Sequence, residues 1–448
     1  MEIDNKEQIN ATVLDYFTNW QTFWFYIKEK IQHPGVQKHG KNMGWMFTTK
    51  ITSMAISFIA TAYIARHLGP MNYGELSYAM SFVGLFGFIA VLGIDQILYR
   101  DLIKYPEKRN EYMGTALTVR IIASIIAVMV CTLGAFIFSP RDVSLFLIFI
   151  ISLTFIFSSF QLLSYEFQAE IKSKYPSIIS LVIVLILNIL KIIVIFNSKG
   201  VIYLAGIVLL EPILYSIGFL YFRIKKFGTI KYWRFDKNIA ISILKDSSPL
   251  IFSSVFLAIY ARIDQVMIKN MMDAGSVGLY SSAVTVSEVW YFIPNIIVSA
   301  LFPAIINAKL TSDGLYKNRL KKLTSLLFVF SLIASIFTSI FAPIIIKILY
   351  GSAFIGGITV LQIYVWSLAG TSLSNLIMNY LVAQNYRRIS LLINILPMII
   401  NVILNIIWIP KYGIIGAALA TLISYSIGPF VLLLFKKTRS EILEIIKA

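Results

Sequence analysis

The chain has 448 residues, of which 58% are apolar and only 14% charged, with a net charge of +17 and a mean hydropathy of +0.78. A soluble domain carries about 25% charged residues, so this surface cannot be that of a soluble enzyme, a disordered chain or a secreted disulfide scaffold. The single cysteine, Cys131, excludes an internal disulfide, and long apolar runs recurring along the whole chain predict an all-α polytopic membrane protein.

Residues 1–43 form an N-terminal extension without the basic start, apolar core and cleavage site of a signal peptide. Within it Phe17, Trp20, Trp24, Ile27 and Ile31 recur at helical spacing before Pro34-Gly35, which predicts an interfacial helix. A plain extension is the alternative. Gly35 to Asn42 nearly matches the phosphate-cradling G-x-x-x-x-G-K-[ST], but Asn42 lacks the hydroxyl that holds magnesium and no strand precedes it, so no nucleotide site is expected.

Twelve spans follow, at 44–65, 76–99, 114–138, 143–166, 175–196, 201–222, 247–268, 278–306, 323–346, 358–383, 389–409 and 413–435. Each has the roughly 20 mostly apolar residues a crossing needs. Basic residues concentrate in 1–43, in the basic loop 223–246, in the tail 436–448 and in every second connection between them. The alternate connections carry only Arg66, Arg141, Lys199, Lys269, Lys347 and Lys411. This bias predicts a multi-pass protein with both termini in the cytoplasm and accounts for the positive charge without nucleic acid. The connections are too short to carry an external catalytic domain, and His33, His39 and His67 fall outside the predicted spans, so a transporter is favoured over an enzyme.

Dividing the chain at 223–246 gives an N-lobe over 44–222 and a C-lobe over 247–435. Sliding one half on the other by 204 residues pairs Gly74 with Gly278, Ser77 with Ser281, Ala79 with Ala283, Phe88 with Phe292 and Ile89 with Ile293. Six spans return the chain to the same side, so such a repeat would be parallel. It predicts two six-helix lobes around a central cavity, with alternating access between them.

Charges inside spans are functional candidates because each is costly in lipid. Lys50, Asp95, Arg120 and Glu166 sit within reach of one face, whereas Lys191, Glu211, Arg262, Asp264 and Glu288 lie deeper. Arg262 is the leading candidate for binding an anion, the alternative being an ion pair with Glu211 or Glu288. Arg262 and Asp264 are two residues apart and therefore face different sides of their helix. Asn394, Asn401 and Asn405 share one helix face, as do Ser372, Asn375 and Asn379. They serve either as hydrogen bonds between helices or as a sugar-facing wall. No metal or cofactor site is expected.

The run Tyr63-Ile64-Ala65-Arg66-His67-Leu68-Gly69-Pro70, with Tyr73-Gly74, Leu92-Gly93-Ile94-Asp95 and Arg100, resembles the polysaccharide repeat-unit flippases. These are O-antigen-type translocases of the multidrug/oligosaccharidyl-lipid/polysaccharide exporter superfamily. Ala261-Arg262-Ile263-Asp264-Gln265-Val266-Met267-Ile268, with Val277-Gly278-Leu279-Tyr280 and Leu301-Phe302-Pro303, looks like the start of that family's second half. The resemblance covers about 43–436 and implies a bacterial inner-membrane protein that flips undecaprenyl-diphosphate-linked oligosaccharide for O-antigen, capsule or exopolysaccharide assembly. It implies that Lys50, Arg120, Lys191 and Arg262 meet the anionic headgroup. It also implies that Asp264, Glu211, Glu288 and Asp95 couple transport to protons or sodium, or serve conformational change. An exporter of cationic drugs from the same superfamily is the alternative, and a membrane-embedded glycosyltransferase or polymerase is the remote one.

Overall fold

A computed structural model describes residues 34–197, 200–383, 386–435 and Arg439. All regular structure among them is helical, in chain order α1 Pro34–Val91, α2 Ile94–Lys104, α3 Arg109–Phe138, α4 Val143–Ser152, α5 Thr154–Ser158, α6 Leu163–Ala169, α7 Lys174–Phe196 and α8 Val201–Phe227. The second half follows as α9 Lys237–Met271, α10 Ala274–Glu288, α11 Phe292–Thr311, α12 Asp313–Leu349, α13 Ile358–Tyr364, α14 Ser367–Ala383 and α15 Arg387–Ile427.

Among the described residues, nine helices are long and apolar enough to cross a membrane, or ten if the pair Ser352–Tyr364 and Ser367–Leu381, bent by 47°, is one span. Twelve were expected from hydropathy. The difference has a physical source, since two expected loops are kinks at single glycines. Within α1 the backbone leaves helical geometry at Gly69 (φ 71°), and within α15 at Gly413 (φ 59°), so each run holds two helices joined without a loop. Both angles lie in the left-handed region that only glycine enters at little cost. A third break, at Leu92-Gly93, separates α1 from α2 inside what hydropathy reads as one span.

The helix α1 begins at Pro34, ten residues ahead of the expected start, so the nucleotide-loop look-alike at 35–42 is helix rather than loop. Proline suits a first turn, where its missing N–H has no partner to lose. The interfacial helix expected before Pro34 lies outside the described residues, as does most of the 436–448 tail. The helix α9 runs on to Met271, so Lys269, expected in a connection, is helical.

The packing is inverted relative to a soluble bundle. On α12, Ile333, Phe337, Ile340, Ile344 and Ile348 form an exposed stripe at helical spacing, while Ser331, Ser335, Thr338 and Ala342 are buried on the other face. Small and hydroxylated residues let membrane helices approach closely, and lipid covers the apolar stripe. Buried Cys131 belongs to the core of α3.

The chain's two halves meet where the second arm of α1 packs on α10. A methyl group at Gly74 would collide with the Ala274 carbonyl, and one at Gly278 with the Pro70 carbonyl, so both glycines are set by this close approach. The segment joining α8 to α9 is held against the first half. The Asp236 N–H donates to Thr115 Oγ1 at 2.9 Å, buried Arg223 stacks over Trp233, and the Arg234 backbone lies against Gly114.

Candidate functional site

A cavity of about 350 Å³ lies between the two halves. Both arms of α1 line it with small and hydroxylated residues, Thr61 on one and Ser77, Ser81 and Gly84 on the other. The helices α9 and α10 supply Arg262, Gln265, Ser281, Thr285 and Glu288, and α7 adds Lys191. Its charged groups are therefore two cations and one carboxylate. The half-buried Arg262 makes no ion pair within 4.0 Å among the described residues, and its aliphatic stem runs past Gly84, where a side chain would meet it. Glu288 lies within electrostatic reach of Arg262. Ser81 donates to Gln265 at 2.5 Å, a hydrogen bond from one half to the other.

Five pairs of lining positions are separated by one interval of 204 residues: Thr61 and Gln265, Ser77 and Ser281, Met80 and Val284, Ser81 and Thr285, Gly84 and Glu288. Gly74 and Gly278, with their contacts Pro70 and Ala274, obey the same interval. The charges break this pairing, because Arg262 corresponds to Phe58 and Glu288 to Gly84.

Asp264 points elsewhere, into the interior of the second half. It is buried and accepts hydrogen bonds from Tyr280 (2.7 Å), Thr421 (2.5 Å) and Asn405 (2.6 Å). Asn405 also donates to Asn401 Oδ1 at 3.1 Å, and Asn401 donates to Thr421 at 3.4 Å. Both asparagines are fully buried and face Asp264 rather than open volume, while the Asn405 carbonyl oxygen is left without a donor. Two hydroxyls and one amide N–H thus donate to one buried carboxylate, which keeps capacity for a proton or a small cation.

Lys50 and Glu211 lie together in a second cavity of about 450 Å³, within the first half. Lys191 is within electrostatic reach of Glu211 and so stands between the two cavities. Asn375 lines a pocket of about 130 Å³ with Asn295, to which it donates at 2.5 Å, and Asn379 turns back onto Asn375. Asn394 is half-buried. Arg120 is buried and paired with Asp95, so each of these two charges meets the other. Glu166 is buried beside Arg223 at 3.4 Å.

Sequence reasoning missed one cluster altogether. Lys269, at the end of α9, bridges Glu75 on α1 (2.5 Å) and Asp142 before α4 (3.0 Å), tying the second half to the first. Both Glu75 and Lys269 were expected in connections, where charge is ordinary. Thr421 and Tyr280 were also missed, since neither residue type stands out in a membrane helix.

Residues 39–309 match the family model described as polysaccharide biosynthesis protein, and residues 233–447 match that described as lipid II flippase MurJ. An uncharacterized membrane protein of Methanocaldococcus jannaschii is 29% identical over 207 residues, covering 45% of this chain and about half (48%) of that one. A Shigella flexneri protein named for O-antigen transport is 22% identical over 400 residues, covering 85% of this chain and 93% of the relative. Among solved structures, an inward closed conformation of lipid II flippase MurJ superposes with a TM-score of 0.69 at 18% identity, covering 89% of each chain. An inward-facing multidrug resistance MATE family transporter gives 0.68 at 14% identity, covering 88% of this chain and 96% of the other.

Proposed function

Because this chain belongs to the polysaccharide biosynthesis protein family, we propose that it flips a lipid-linked oligosaccharide, its diphosphate held in the central cavity by Arg262 and Lys191. The observation that carries this reading is an arginine facing an inter-half cavity with no ion pair within 4.0 Å among the described residues. A guanidinium left unspent in a low-dielectric space is matched by the oxygens of a phosphate group, while the polyprenyl tail stays in lipid.

Each glycine-kinked run counts in this proposal as two spans, giving twelve in two six-helix lobes, 44–222 and 247–435. The 204-residue interval supports a parallel repeat, and the cavity then lies on its pseudo-twofold axis. Both termini and the joining segment 223–246 face the cytoplasm of a bacterial inner membrane, in keeping with the distribution of basic residues. Asp264, with the Tyr280 and Thr421 hydroxyls beside it, serves as the site of a coupling proton or sodium ion, consistent with an Asn405 side-chain oxygen that has no partner among the described residues. Lys50 meets the substrate on entry, whereas Arg120 and Asp95 act as a structural pair.

Export of cationic drugs is the competing reading, supported by the likeness to the MATE transporter fold. Two cations against one carboxylate make the cavity a poor host for cationic cargo. The deciding experiment reconstitutes the chain in proteoliposomes and follows translocation of an undecaprenyl-diphosphate oligosaccharide beside efflux of an organic cation. Movement of the lipid alone supports the proposal, and movement of the organic cation alone overturns it.

A further inference from the structure

We propose that the second cavity, inside the first half, is the subsite that receives the sugar portion of the substrate. This inference rests on the flippase reading above and adds a location for the glycan, which the candidate asparagines of α14 and α15 were expected to supply.

Four of the five candidate amides of the second half are already engaged. Asn405 donates to Asp264, Asn401 to Thr421, Asn375 to Asn295 and Asn379 to Asn375. In the second cavity four polar side chains are unengaged. Lys50, Gln161, Gln168 and Glu211 line it, and among the described residues none makes a side-chain hydrogen bond or an ion pair within 4.0 Å. Ser180 and Tyr215 add a hydroxyl pair 3.0 Å apart on its wall, with Phe219 beside them. Two unspent amides and one carboxylate, with a hydroxyl pair beside an aromatic surface, form the donor and acceptor set that neutral sugar hydroxyls need. Its volume of about 450 Å³ exceeds that of the central cavity.

The two cavities also share their walls. The helix α8 lines the central one with Leu204 and Val208 and the second with Glu211, Tyr215 and Phe219, a single stripe at helical spacing. The first arm of α1 contributes Thr61 to one and Lys50 to the other, a separation of about 16 Å at about 1.5 Å per residue. Lys191 and Glu211 mark the border. A headgroup with its diphosphate at Arg262 and Lys191 therefore has an adjoining polar compartment for the sugars that extend from it.

The test measures binding of two probes to the purified full chain by native mass spectrometry: undecaprenyl diphosphate, and the same lipid carrying N-acetylglucosamine. The unaltered chain should prefer the glycosylated lipid. Gln168→Leu, and separately Ser180→Leu, should reduce that preference about fivefold, the scale of one lost hydrogen bond, while binding of the sugar-free lipid stays within about twofold. Free N-acetylglucosamine in excess should compete only with the glycosylated probe, which separates the sugar's own contribution from that of the lipid. An undiminished preference in both variants overturns the subsite and leaves the diphosphate assignment standing. Equal binding of both probes by Arg262→Ala and by the unaltered chain overturns the diphosphate assignment instead.

Discussion

Gly74 and Gly278 lie in reciprocal contact: each presses on the backbone residue that stands four places before the other, Ala274 for Gly74 and Pro70 for Gly278. Reciprocal contacts of this form are those that two surfaces related by a twofold axis make. Adding a side chain at either position must push α10 and the second arm of α1 apart. Gly74→Val and Gly278→Val should therefore destabilise the protein to similar extents, about 1–3 kcal/mol each. Gly206 has open space around it, so Gly206→Ala is the neutral control. Thermal unfolding in detergent checks all three, and an unequal pair would argue against the symmetric contact.

Arg262→Ala should abolish surface polysaccharide in a complementation strain at an unchanged protein level. Arg262→Lys, which keeps the charge but not the forked geometry, should restore only part of it. Wild-type polysaccharide from the alanine variant would remove Arg262 from the mechanism.

Asp264→Asn keeps the shape of the hydrogen-bonded cluster and removes its charge. The variant should fold, yet flipping in proteoliposomes should no longer respond to an imposed proton or sodium gradient. If the unaltered chain is indifferent to both gradients, the coupling role assigned to Asp264 fails.

Asp142 provides a pH-dependent element outside the spans. Burial pushes its carboxyl up, but hydrogen bonds from Ser144 and Lys269, with the Lys269 charge, leave it below its ordinary value. A carboxyl lowered in the folded state adds stability that is present above its unfolded value, about 3.9, and lost as pH falls through its folded value. Unfolding temperature should therefore drop on acidification below about pH 4, and Asp142→Asn should flatten that limb. The effect will be modest, because the side chain is 40% exposed and screened.

Single cysteines placed in 229–236, in a chain with Cys131 replaced by serine, should label only from the cytoplasmic side. Labelling from outside would overturn the proposed orientation.

Hydropathy was enough to reveal the helical class and the bounds of spans 143–166 and 175–196 within about three residues, whereas α1, α9 and α12 each begin about ten residues before the expected spans. Hydropathy failed at Gly69 and Gly413 because a reversal at one residue leaves no polar loop to detect. The cavity-facing position of Arg262 was legible from its cost in lipid. The partners of Asp264 were not, since Thr421 and Asn405 lie more than 140 residues away and neither carries a charge. Lys269 and Glu75 escaped notice because a charge near a span end is ordinary until its opposite is found across the bundle.

The cavity's unequal charges have a consequence for ancestry. If the halves descend from one duplicated six-helix unit, two separate copies of that unit would have met with identical walls, and any charge on one wall would have recurred on the other. One polypeptide carries Phe58 and Gly84 where the positions 204 residues on carry Arg262 and Glu288. Fusion would thus have given the passage a polarity from wall to wall that a homodimer could not possess.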